Sequence, residues 1–140
     1  MKEHPVIIAG GGPTGLLLAS ELRLAGVEVA IVERRLTQDI GGLRAGGLHS
    51  RTIEILDQRG IADRFLSEGQ IAQVAGFAGI KLDITDFPSP HPYGLGLWQN
   101  HIERILAGWA EELSVIFYRG TDVNGFVDDG QGVNVQLSNG

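Results

Sequence analysis

Apolar residues recur along this chain with two periods, and the switches between them mark its elements. Val6-Ile7-Ile8-Ala9 is a short unbroken apolar run, and Glu28–Glu33 is a second, apolar from Val29 to Val32. Runs of this kind predict parallel strands covered on both faces. Between them Gly15, Leu18, Ala19, Leu22 and Ala25 recur at spacings of three and four, which predicts a helix over Pro13–Ala25. Ser20, Glu21 and Arg23 then face water, and Gly26 is placed to end the helix. Further helices are expected at Ser50–Arg59, with Ser50 as a possible cap and Gly60 as the stop, and at Ile61–Glu68, with Phe65 and Leu66 inward. Ala72–Thr85 alternates weakly and reads as strand segments punctuated by Gly76 and Gly79. Pro88, Pro90 and Pro92 make Asp86–Tyr93 an irregular loop. Asn100–Leu113 is strongly amphipathic: Ile102, Ile105, Leu106, Trp109, Ala110 and Leu113 form one stripe, and Glu103, Arg104, Glu111 and Glu112 the other. Asn100 with Glu103 resembles a capping box. Val115–Tyr118 predicts a buried strand. Thr121–Gly140 predicts antiparallel strands turning at Asp128–Gly132, with Val133, Val135 and Leu137 on one face.

The pattern is α/β: a Rossmann-like βαβ unit followed by an added antiparallel β-meander. A doubly wound nucleotide fold needs more parallel strands than these. The expectation is therefore the N-terminal part of a larger domain, residues 1–140, incomplete without downstream strands; a compact stand-alone domain is the alternative.

Composition narrows the function classes. A net charge of -6 over 140 residues argues against a nucleic-acid binder, which would carry a basic patch. The absence of cysteine removes disulfides, thiol chemistry and Cys-ligated zinc. No stretch approaches the ~20 apolar residues needed to span a bilayer, and no signal peptide is visible, so no membrane role and a cytoplasmic location are expected.

The candidate chemistry starts at the first turn. Gly10, Gly12 and Gly15 have the G-x-G-x-x-G spacing between a strand and a helix. The first glycine permits the turn, the second lets backbone approach a pyrophosphate, and the third lets helix pack on strand. Pro13, which has no N–H to leave unbonded, suits the first helical turn, and with Thr14 and Gly15 it starts a helix whose N-terminal N–H groups favour anions. Glu33 ends the second strand about 20 residues on, where a carboxylate can accept both hydroxyls of a ribose; otherwise it is a solvated strand-end acid. Arg34 and Arg35 follow and could reach the nucleotide or be surface charge. Arg44 lies among Gly41, Gly42, Ala45, Gly46 and Gly47, whose small size would let a planar ligand approach the backbone; it equally suits an exposed loop. Gln99 precedes the amphipathic helix as a donor and acceptor. Trp98 and Trp109 read as core. His49, His91 and His101 have no metal-like spacing, so no metal is expected.

With those residues placed, the chain resembles the class A flavoprotein (aromatic) monooxygenases, and within them the bacterial hydroxylases of aromatic polyketides and of antibiotics such as rifampicin. The resemblance rests on Val6–Gly15, Val32-Glu33-Arg34, the run Arg44–Glu54, Asp57-Gln58-Arg59-Gly60 and the Gln99 helix. It implies FAD, with Glu33 at the ribose, Arg34 near the adenine, Arg44 beside the flavin and pyrophosphate as the catalytic residue, Gln99 at the ribityl or ring region, and the Val123 backbone approaching the adenine. It implies NADPH as a transient reductant, O₂ and an aromatic small molecule as substrates, and hydroxylation through a C4a-hydroperoxyflavin. The family's downstream Asp-Gly and Gly-Asp motifs and its substrate domain are absent, so activity is expected to need the remainder of the same protein or a complementary chain. A flavin-dependent oxidase or dehydrogenase sharing this unit, and a non-catalytic nucleotide-binding module, are the competing readings.

Overall fold

The computed structural model describes residues 3–40 and 45–139. The elements follow in the order β1 (Val6–Ala9), α1 (Pro13–Leu24), β2 (Val29–Glu33), α2 (Ser50–Gln58), α3 (Ala62–Leu66), β3 (Gln70–Ala72), β4 (Val74–Phe77), β5 (Ile80–Asp83), β6 (Gly94–Gly96), α4 (Gln99–Glu112), β7 (Ile116–Arg119), β8 (Val123–Asp128) and β9 (Val133–Leu137). They divide into two compact units, Met1–Ile40 with Leu106–Gly140, and Gly41–Ile105.

The first unit is built on a parallel sheet of order β1-β2-β7. Val6 pairs with Val29 and Ile8 with Ile31 on one side of β2; Ile31 pairs with Phe117 and Glu33 with Arg119 on the other. All five β2 residues are buried, as a central strand requires, whereas β7 is only half-buried because it forms an edge among the described strands. The mixed α/β architecture read from the sequence is present, and the strand expected at 115–118 becomes the third parallel strand. The antiparallel pair β8–β9 follows, with a bulge between Val123 and Gly125.

The buried face of α1 is rotated from the expected one. Leu16, Ala19 and Ser20 are fully buried, while Leu18 is 48% exposed. Ser20 tolerates burial because its hydroxyl donates to the Leu16 carbonyl at 2.9 Å, a local bond that needs no partner from another element. The helix ends in a Schellman arrangement, Gly26 N–H to Arg23 O and Val27 N–H to Leu22 O. The end of α4 repeats this pattern, Ser114 N–H to Glu111 O and Val115 N–H to Ala110 O, with Ser114 at φ 61° where glycine is usual.

The second unit packs α2 and α3 through Ile53, Leu56, Ile61, Ala62 and Phe65, with Leu95 and Leu97 also buried. β3 pairs antiparallel with β6, and β4 with β5. Four expectations change here. His49, not Ser50, is the N-cap of α2; the Ser50 hydroxyl instead donates to the His91 carbonyl at 2.6 Å. Glu103, assigned to the wet face of α4, is 1% exposed, and α4 starts at Gln99, which places Asn100 inside the helix rather than at a capping box. Trp98 is 56% exposed and not core, whereas Trp109 is buried as expected. Among the described residues no helix is long and apolar enough to cross a membrane, and no group of three acidic or histidine side chains is set to hold a metal ion.

Candidate nucleotide-binding site

The turn from β1 into α1 is where backbone geometry and open space coincide. Gly10 adopts φ +107°, a conformation that L side chains rarely occupy, and its amide donates to Val32 O at 2.8 Å, tying the turn to the end of β2. A Cβ on Gly15 would lie 2.1 Å from the Gly10 carbonyl oxygen, so helix and strand meet at a distance only glycine allows. A Cβ on Gly12 would meet nothing within 4 Å. Gly12 is the N-cap of α1 and supplies no side-chain cap, and Pro13 occupies the first turn as expected. The helix therefore opens with backbone donors and the positive end of its dipole facing uncrowded space.

Glu33 closes this turn from the neighbouring strand. It is 5% exposed, and its Oε2 accepts the Gly11 amide at 2.6 Å. Its Oε1 accepts the Arg35 amide at 2.9 Å and the Arg35 Nε at 3.0 Å. Burial pushes the carboxyl up, but the Arg35 side chain, the amides of Arg35 and Gly11 and the guanidinium charge outweigh it and hold Glu33 below the ordinary carboxylate range. An ionised carboxylate can accept about four hydrogen bonds; Oε2 also receives Arg35 Nη2 at 3.4 Å, the longest of these Glu33 contacts, and a sugar hydroxyl would take that place.

These features fit an extended dinucleotide such as FAD. The cradle at Gly12 is clear of protein atoms, the spacing at Gly15 is enforced by contact, and the acid stands at the turn and is charged.

The other sequence-derived candidates are placed as follows. Thr14 is exposed in the first turn of α1. Arg34 is exposed at the end of β2. Val123 opens β8, its amide bonded to Asp122 Oδ1 at 3.0 Å, just beyond Thr121, whose amide donates to Glu33 O at 3.2 Å. Arg44 lies outside the described residues. Gln99 belongs to the second unit, where its backbone amide donates to the carbonyl of Ala45, the residue that follows Arg44 in the chain, at 3.0 Å. Its side-chain Nε2 donates to the buried Glu103 at 2.7 Å, which fixes the orientation of the amide.

The small residues after Arg44 serve the chain itself. The Trp98 ring lies against Gly46, where a Cβ would sit 3.1 Å from it, and the Leu95 carbonyl approaches a Gly47 Cβ position to 2.9 Å. Leu48 and Leu95 exchange both backbone hydrogen bonds, at 2.8 and 2.9 Å.

Sequence reasoning missed two participants. Arg35, read either as reaching the nucleotide or as surface charge, pairs with Glu33; Gln38, to which no role was assigned, donates to Gly11 O at 2.7 Å. The one signal available was their position directly after the acidic strand end.

A turn, helix and acid so arranged define a dinucleotide-binding βαβ protein. Comparison with known proteins narrows the class. Residues 3–140 match the family model described as FAD binding domain. The chain is 41% identical over 137 residues to 12-dehydrotetracycline 5-monooxygenase/anhydrotetracycline 6-monooxygenase of Streptomyces rimosus subsp. rimosus, covering 96% of this chain and 27% of that protein. It is 44% identical over 137 residues to rifampicin monooxygenase of Rhodococcus hoagii, covering 96% and 28%. Among solved structures, OxyS anhydrotetracycline hydroxylase from Streptomyces rimosus superposes with a TM-score of 0.90 at 40% identity, covering 95% of this chain and 28% of that one. The chain belongs to the FAD-binding domain family of the class A flavoprotein monooxygenases, and its cofactor is FAD. It spans under a third of the length of these relatives.

Proposed function

We propose that this segment, as the N-terminal part of the FAD-binding domain, serves a cytoplasmic NADPH-dependent monooxygenase that hydroxylates an aromatic, polyketide-type substrate with O₂. The observation that carries the cofactor half of this reading is the Glu33 carboxylate held at the Gly11 amide beside an open Gly12. The hydroxylase half is supported by relatives whose names specify tetracycline and rifampicin monooxygenation.

Each residue has a role in this reading. The backbone of Gly10, Gly12, Pro13, Thr14 and Gly15 receives the diphosphate, because a helix N-terminus and unshielded amides favour an anion. Glu33 accepts the ribose hydroxyls and disfavours a 2′-phosphate by charge. Arg34 and the Val123 backbone serve the adenine side. Arg44 and Gln99 serve the flavin: a guanidinium supplies fixed positive charge and a planar donor array, and Gln99, its amide oriented by Glu103, presents its carbonyl as an acceptor. When bound, FAD supplies the two-electron chemistry that links a nicotinamide reductant to oxygen activation; the protein binds it, orients it and keeps water out.

The test is aerobic NADPH consumption by the full-length, yellow protein with a panel of phenolic polyketides. Substrate-stimulated consumption with a product heavier by one oxygen atom is expected. Oxidation of substrate without oxygen insertion would replace this reading with an oxidase or dehydrogenase. A protein without a flavin absorbance band would favour the non-catalytic module.

A further inference from the structure

Gly11 is held from both sides of its peptide, and only one side was legible as part of a nucleotide site. Its N–H is taken by Glu33. Its carbonyl oxygen accepts Gln38 Nε2 at 2.7 Å and Arg35 Nη2 at 3.2 Å. Gln38 is itself oriented: its Oε1 accepts Arg119 Nη1 at 3.1 Å, and the Arg119 guanidinium lies 4.5 Å from the centroid of the Phe117 ring. A hydrogen-bonded chain thus runs from β7 through Arg119 and Gln38 to the turn after β1. We propose that Gln38 and Arg35 are positioning residues that clamp the Gly11 carbonyl and so hold the Gly10–Gly12 turn in the shape that meets the FAD diphosphate.

The physical need for such a clamp follows from the turn's composition. Three consecutive glycines have large backbone freedom, and ordering them costs more entropy than ordering other residues. Packing cannot supply the order at Gly10 or Gly12, where Cβ positions are surrounded by open space. Hydrogen bonds must restrain the turn instead: Gly10 N–H to Val32 O and Leu16 N–H to Gly12 O hold its two ends, and the bonds to Gly11 hold its middle; a turn ordered before binding spares the ligand that cost. The side-chain amide matters in particular. Gln38 donates to Gly11 with one end and accepts from Arg119 with the other, so a carboxylate in its place would keep the Arg119 contact and set an acceptor against the Gly11 carbonyl.

This inference rests on the reading of Val6–Glu33 as the FAD-binding unit, and the experiment separates the two. Full-length apoprotein carrying Gln38→Met, Gln38→Glu, Arg35→Met or Glu33→Gln is titrated with FAD and, separately, with FMN, which lacks the adenylate half. Gln38→Met and Gln38→Glu are expected to weaken FAD about tenfold and to leave FMN within about twofold, with the apoprotein's thermal midpoint unchanged. Arg35→Met is expected to lose FAD affinity in the same sense, with Arg35→Lys recovering part of it. Equal losses for FAD and FMN would make these residues merely structural and overturn the proposal. Parental FAD affinity in both Gln38 variants, with Glu33→Gln impaired, would overturn the clamp and keep the FAD site. Parental affinity in Glu33→Gln as well would overturn both.

Discussion

Gly11 and Glu33, twenty-two residues apart in the chain, meet at 2.6 Å with the glycine amide donating to a carboxylate oxygen. The contact joins the glycine turn after β1 to the acid that ends β2. Glu33→Gln keeps an acceptor for the amide and loses the charge shared with Arg35. A loss of about 1–2 kcal/mol in apoprotein stability is expected, with a fall in FAD affinity of about two orders of magnitude as the charged acceptor disappears. Urea denaturation and FAD titration measure the two separately.

The charge on Glu33 gives stability an acid limb. Despite burial, the Arg35 side chain and the amides of Arg35 and Gly11 hold its folded value below the ordinary 4.5. A carboxyl lowered on folding contributes stability that is fully present above its unfolded value and is lost as pH falls through the folded one. Unfolding free energy should therefore decline as pH drops below 4.5, and Glu33→Gln should decline less steeply. Exposed carboxylates lowered by hydrogen bonds, such as Glu68 by Arg104 and Asp129 by the Gln131 amide, keep part of the slope in either protein. Identical slopes would mean that Glu33 carries no linkage.

Two glycines of the same motif should fail in opposite ways. Gly15→Ala forces a Cβ to within 2.1 Å of the Gly10 carbonyl oxygen, and α1 must move off β1. A cost of about 3 kcal/mol is expected, at the upper end for overpacking, because the obstacle is backbone. Gly12→Val meets open space at an extended φ of -78°. It should melt near the parental temperature and yet retain no FAD, because the side chain fills the space of the diphosphate. A flavin-loaded Gly12→Val protein would place the diphosphate elsewhere.

Ser114 adopts φ 61° at the end of α4. Glycine suffers no Cβ penalty there, so Ser114→Gly should stabilise the protein by about 0.5–1 kcal/mol, net of the entropy that glycine adds to the unfolded chain. A raised denaturation midpoint at constant m-value is the expected reading.

Arg44→Ala should slow flavin reduction by NADPH or weaken FAD about tenfold, with the thermal midpoint of the apoprotein unchanged. Stopped-flow reduction and FAD titration at parental rate and affinity would remove Arg44 from the flavin's surroundings.

What the sequence determined by itself is local. The Gly10, Gly12 and Gly15 spacing, the apolar runs of β1 and β2, the acid at the end of β2 and the stripe of α4 are properties of short windows, set by steric permission and by periods of two and 3.6 residues. The motifs around Arg44 and Gln99 carried the family as well. What needed the tertiary structure is every relation decided at long range. The residues at 115–118 read as a strand, but only the fold makes β7 a parallel neighbour of β2. Glu103 carries charge and so reads as surface, yet it is buried, with Gln99 four residues away as one partner. Trp98 reads as core, yet its ring lies against Gly46 and stays largely exposed. Gln38 is an unremarkable loop residue until the chain brings it to a carbonyl twenty-seven positions away. A hydrogen bond between distant residues leaves no periodic trace, because its partners are chosen by the path of the backbone and not by their neighbours in sequence.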